Sequence, residues 1–181
     1  MFRFRAILLV FAVMVGTLAP ALAQEAIVEV NKELLTCWIE DIMNKGDMTM
    51  SDDVFAADLT VIHQPLGTFD NESYQELVGA LHVSFPDLTI SDYTVVAVDD
   101  YVAAQFVLQG TFSADFLGVP ATGETITTQG VIFAQVANGR ITQMNLLYDW
   151  AGLAQQMGAI PVVETADEGP QPRSGRTYYL D

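Results

Sequence analysis

Gly139-Arg140-Ile141-Thr142-Gln143-Met144-Asn145-Leu146-Leu147-Tyr148-Asp149-Trp150-Ala151-Gly152-Leu153-Ala154-Gln155-Gln156-Met157-Gly158 decides the fold. The run Arg140–Tyr148 has strand character, meets a single carboxylate at Asp149, and passes into a short helical pattern that Gly158 stops. Along a strand, alternate side chains share a face. Gln143, Asn145, Leu147 and Asp149 therefore point one way, and Thr142, Met144, Leu146 and Tyr148 the other. Three polar groups on one face of an otherwise apolar strand point to a cavity wall with hydrogen-bonding capacity. A carboxylate there loses hydration, and its pKa rises toward useful base strength. The same Asp149 stands immediately before a helix, where an aspartate N-cap is ordinary and capping lowers the pKa. Both readings stand at this level.

Working outward, Asn138-Gly139 is a strong hairpin signal joining this strand to Glu124–Ala137. Asp99-Asp100 joins Leu88–Val98 to Val102–Phe112 in the same way. Upstream the period changes. Ile27, Val30, Leu34, Trp38 and Ile42 recur three or four apart, which predicts an amphipathic helix over residues 25–44. Ser51 to Ala57 reads as a short second helix, and Leu59 to His63 as a short extended run stopped by Pro65 and Gly67. Asp70 or Asn71 caps a third helix carrying the stripe Tyr74, Leu77, Val78, Leu81 and Phe85. Helices first and strands after them give an α+β domain.

Three landmarks then line up: Phe85-Pro86-Asp87, the run from Gly110-Thr111 to Pro120-Ala121-Thr122-Gly123, and Asp149 followed by Gly152-Leu153 and Gln156-Met157-Gly158. In these the chain resembles the SnoaL-like polyketide cyclases, small cone-shaped domains of the nuclear-transport-factor-2-like superfamily, over roughly residues 27–160. The resemblance implies three N-terminal helices on a curved four-stranded antiparallel sheet, a short C-terminal helix and a single cavity. It implies chemistry without a cofactor, with Asp149 as general base. It also matches Val61-Ile62-His63-Gln64-Pro65 to the family's H-x-P segment at the cavity edge, where His63 could donate a hydrogen bond to an enolate oxygen. Asn145, Gln143 and Leu147 join the candidate cavity wall, with Trp38 and Phe106 completing its lining. The chain departs from the family at Asn145, often tryptophan, and at Phe112, often histidine. Its third strand also lacks the histidine expected as the aspartate's partner.

The first 23 residues read as an export signal. Arg3 and Arg5 form a positive start, Ala6 to Leu18 an apolar stretch too short to span a membrane comfortably, and Ala21-Leu22-Ala23 a cleavage site. Residues 24–160 then form the domain, and residues 161–181 a flexible tail. The 181-residue chain has net charge −16; the signal holds two of its seven basic residues and none of its 23 acidic ones, so the mature charge is −18. Such a surface repels nucleic acid and anionic lipid. Cys37 is the only cysteine, so no intrachain disulfide exists, and beside Trp38 it reads as a small core residue. His82 is expected on a solvated helix face, and nothing has the spacing of a metal site.

The expected protein is thus secreted or periplasmic and has no cofactor. It acts on a small apolar carbonyl compound as an acid–base cyclase or isomerase, or binds such a molecule without turnover, or serves as a dimerising accessory domain. The expected partner is a small apolar molecule, with no nucleic acid and no membrane after signal cleavage; a homodimer stays open. A buried, uncapped Asp149 favours the enzyme, and a capping Asp149 beside an apolar cavity favours binding.

Overall fold

The computed structural model describes residues 24–160; the expected signal segment 1–23 and tail 161–181 lie outside the described residues. Helix α1 covers residues 24–37 and widens into a π-turn over Trp38–Met43, closed by the Asn44 amide donating to the Ile39 carbonyl at 2.9 Å. Its inner side buries Leu35, Trp38, Ile39 and Ile42 completely. Helix α2 is one turn, Ser51–Val54. Strand β1 (Phe55–Gln64) follows, then the three-residue β2 (Gly67–Phe69). Helix α3 is Asn71–Ser84. Asp70 caps it reciprocally: its carboxylate accepts from the Ser73 amide at 2.9 Å, and its own amide donates to the Ser73 hydroxyl at 3.0 Å. Strands β3 (Thr89–Val98), β4 (Tyr101–Thr111), β5 (Thr125–Ala137) and β6 (Arg140–Tyr148) complete the sheet, and α4 (Trp150–Gln156) closes the domain.

The α+β class holds, with two corrections. The sheet has six strands in the order β2-β1-β6-β5-β4-β3, where four were expected. It is mixed: β1 runs parallel to β6, with His63 opposite Leu146, while every other pair is antiparallel. The helix expected over Ser51–Ala57 stops at Val54, because Phe55, Leu59, Val61 and His63 are buried along β1 and the strand claims the segment. Four α-helices are described, counting α4.

Both predicted hairpin turns form. Asn138 and Gly139 take φ of 52° and 71°, the left-handed pair that a tight two-residue turn requires. The Asp99 carbonyl at the other turn accepts from the Asn31 amide at 2.8 Å, tying α1 across the β3–β4 hairpin.

One face of the sheet carries the core. On β4, Val102, Ala104, Phe106 and Leu108 are buried; on β5, Ile126, Ile132, Ala134 and Val136; on β6, Ile141, Met144 and Leu146. Burial of this many large side chains at about 25 cal/mol per Å² is the main driving force for folding. The Trp38 indole donates to the Tyr74 hydroxyl at 3.1 Å, which satisfies the polar edges of both rings where α1 meets α3.

Candidate functional site

Among the described residues, the helices and the inner face of the sheet leave a small apolar cavity of about 40 Å³. Met43 from the π-turn and Leu77 and Leu81 from α3 form the helical side. Leu108, Ile126 and Tyr148 form the sheet side, and Trp150, Leu153 and Met157 bring α4 to the rim. The segment between β4 and β5 contributes Phe116. It is seated by Phe85, whose ring packs edge-on at 5.9 Å, and anchored by the Ser84 hydroxyl donating to the Asp115 carbonyl at 3.0 Å. The Gly110–Gly123 run is thus architectural and also supplies one wall residue.

Two polar side chains reach this apolar lining. His63 is 7 % exposed, and its Nδ1 is buried with no hydrogen-bond partner. Burial holds the imidazole pKa below its usual value of 6.5; the backbone of His63 and Gln64 opposes that shift without reversing it. The ring is therefore neutral at pH 7. It stacks on Tyr148 at a centroid distance of 5.2 Å and meets the edge of Phe69 at 6.4 Å. Tyr148 is half-buried, and burial, aided by Tyr74, pushes its pKa up. Among the described residues its hydroxyl has no hydrogen-bond partner.

Asp149 lies elsewhere. It is exposed and caps α4: its Oδ1 accepts from the Gly152 amide at 3.0 Å. Gly152 is required for that approach, since a Cβ there would stand 2.3 Å from the Asp149 carboxylate. Asp149 borders a separate outer groove with Asp92, Gln105, Gln129 and Leu147, which Phe106 and Tyr148 also line.

The expectation about the two faces of β6 is therefore inverted. Alternation sorts the residues correctly, but Met144, Leu146 and Tyr148 face inward, while Gln143, Asn145, Leu147 and Asp149 do not line the cavity. The net apolar character of the inward set decides this: Met144 and Leu146 are worth more in the core than the amides are at a wall. Trp38 is wholly buried in the core and meets Phe106 edge to face at 6.0 Å; neither ring lines the inner cavity. Tyr148 was legible as an inward candidate only by asking which of the two faces was the more apolar.

Other chemistry-bearing groups are accounted for locally. The Cys37 thiol donates to Asp41 at 3.3 Å, and burial, that bond and neighbouring carboxylates push its pKa to about 11, so it is no thiolate nucleophile at pH 7. His82 is not on a free solvated face; its ring packs against Gly46, and its Nε2 lies 3.3 Å from the Ile42 carbonyl. Among the described residues no group of three or more His, Cys, Asp or Glu side chains could hold a metal, and no helix is long and apolar enough to cross a membrane.

The shape has many solved counterparts. A protein from Jannaschia sp. CCS1 described as a SnoaL-like polyketide cyclase superimposes with a TM-score of 0.69 at 21 % identity, over 75 % of this chain and 96 % of that one. A polyketide cyclase assignment from Acidithiobacillus ferrooxidans gives 0.64 at 28 %, over 72 % and 95 %. AclR from Streptomyces galilaeus, described as a hydroxylase, gives 0.66 at 19 %, over 75 % and 85 %. No match was found among curated proteins. The sequence model of the SnoaL-like polyketide cyclases matches residues 33–157, most of the domain, and the chain belongs to that family.

Proposed function

We propose that this protein is an exported SnoaL-like domain that holds a small, largely apolar, oxygen-bearing molecule in its inner cavity. The observation that carries the reading is His63: a neutral imidazole that lines an otherwise apolar space and whose buried Nδ1 lacks a hydrogen-bond partner. An unsatisfied buried polar atom is costly, and a ligand hydroxyl would satisfy it. The cavity is narrow, so a ligand must part the side chains at its mouth. Met43 and Met157 supply flexible walls for that. Solved relatives carry different activity names on one shape, so the site and not the fold supports this reading. The Arg3/Arg5, Ala6–Leu18 and Ala21-Leu22-Ala23 succession supports export.

A second reading keeps turnover. A neutral imidazole without a partner is a competent general base, and His63 in place of Asp149 could take a proton α to a ligand carbonyl in a cofactor-free cyclisation or isomerisation. Titration with p-cresol, followed by calorimetry, tests the binding reading. Saturable binding weakened in a His63→Phe variant is expected; wild-type protein that binds no neutral aromatic compound would refute it. Deuterium exchange α to the carbonyl of a bound cyclic ketone tests the second: exchange that survives His63→Phe would remove it.

A further inference from the structure

We propose that Tyr148, together with His63, selects the ligand's oxygen, and that the ligand class is a neutral ring compound bearing a hydroxyl group. The proposal rests on the cavity being the ligand site. Tyr148 and His63 come from strands that run parallel, their rings stack at 5.2 Å, and both line the cavity. The His63 Nδ1 is buried without a partner, and the Tyr148 hydroxyl, which keeps some accessible surface, makes no hydrogen bond among the described residues. Burial keeps the hydroxyl protonated, hence a donor, and keeps the imidazole neutral, hence an acceptor at one nitrogen. A ligand O–H is the complementary group: it accepts from Tyr148 and donates to His63. A bare carbonyl satisfies only the first, and a carboxylate would have to be desolvated in an apolar space.

The position of the tyrosine is built in. Gly130 lies opposite Tyr148 on β5, and a Cβ at that glycine would stand 2.6 Å from the Phe106 ring and 3.0 Å from the Tyr148 ring. The missing side chain is what lets the two rings meet edge to face at 5.8 Å over the strand. Tyr148 is thus held between Phe106 and His63 before any ligand arrives, so little order is lost on binding.

The probes are p-cresol and p-xylene, which share a shape and differ by a hydroxyl for a methyl. Wild-type protein is expected to bind p-cresol about five- to tenfold more tightly, the worth of one or two net hydrogen bonds. Tyr148→Phe should lower that ratio about two- to fivefold, the share of one hydrogen bond, while leaving p-xylene affinity unchanged, a result that a merely structural role for the hydroxyl would not produce. A variant that keeps the wild-type ratio overturns the proposal. If both compounds bind wild-type protein equally, the cavity reading stands and this selection fails; if neither binds, the cavity reading itself fails. Wild-type protein labelled at tyrosine Cζ gives a second readout that needs no variant. The Tyr148 carbon signal should move with p-cresol and stay with p-xylene, and an unmoved signal with both refutes the proposal.

Discussion

The two faces of β6 differ more than any two regions of this molecule. Leu146 is 1 % exposed and Leu147 is 51 % exposed, though they are neighbours of the same type. Behind Leu146 lie the core and the cavity with His63; on the Leu147 side lies a groove edged by amides and by the capping Asp149, and Tyr148, stacked on His63, borders both spaces. A polar set on a strand need not be the working face. Here the chemistry available to a ligand sits on the more apolar face, where two polar groups are worth more because little water competes with them.

The comparison breaks most visibly in paired truncations. Leu146→Ala removes a fully packed side chain and should cost about 2–5 kcal/mol, whereas Leu147→Ala should stay within about 0.5 kcal/mol, as read from chemical denaturation. Equal losses would mean that Leu147 is covered in solution.

Gly130→Ala tests the seat of the tyrosine. The added methyl must displace the Phe106 and Tyr148 rings, and overpacking of this kind costs about 1–3 kcal/mol. It should also weaken p-cresol binding, since the displaced ring moves relative to His63. A neutral effect on both stability and binding would show that the wall is loose.

The sequence exposed much of the fold but the site only in part, and the reasons are physical. Arg140–Tyr148 and the Asn138-Gly139 turn were legible because hairpins are local: the residues that pair are close in sequence. The parallel β1–β6 pairing was not, because its two strands are separated by α3 and four other strands, and no turn chemistry records it. The start of β1 is masked in the sequence because Ser51-Asp52-Asp53 signals a helix start that tertiary burial of Phe55 then cuts off. At the site, His63 could be placed at the cavity, and the capping alternative for Asp149 could be stated. Which face of β6 turned inward depended on the helices packed against it, which strand alternation does not encode.

Asp149 gives a smaller effect. As an N-cap, Asp149→Ala should cost about 1 kcal/mol and Asp149→Asn almost nothing, because asparagine caps equally well. Thermal melts of the two variants check this. Loss of ligand binding in Asp149→Asn with stability intact would instead move the working site to the outer groove.

The smallest effect is in pH. His63 has a folded pKa below 6.5, so the unfolded chain binds its proton first. Stability from this residue is fully present above 6.5 and falls as pH drops through that value toward the folded pKa. The carboxylates of Asp70 and Asp87, lowered by hydrogen bonds from Ser73 and Thr111, act in a separate window below 3.8. A His63→Phe variant should lose the upper slope and keep the lower one in denaturation series between pH 7 and 3. An unchanged upper slope would mean that the imidazole is hydrated.

The central claim is that the ligand site is the inner cavity and that Asp149 serves the helix. A crystal structure with p-cresol tests it most directly. The account predicts the ring between α3 and the sheet, its oxygen within hydrogen-bond distance of His63 and Tyr148, and Asp149 still bonded to the Gly152 amide. A p-cresol oxygen beside a released Asp149 carboxylate in the outer groove would contradict it.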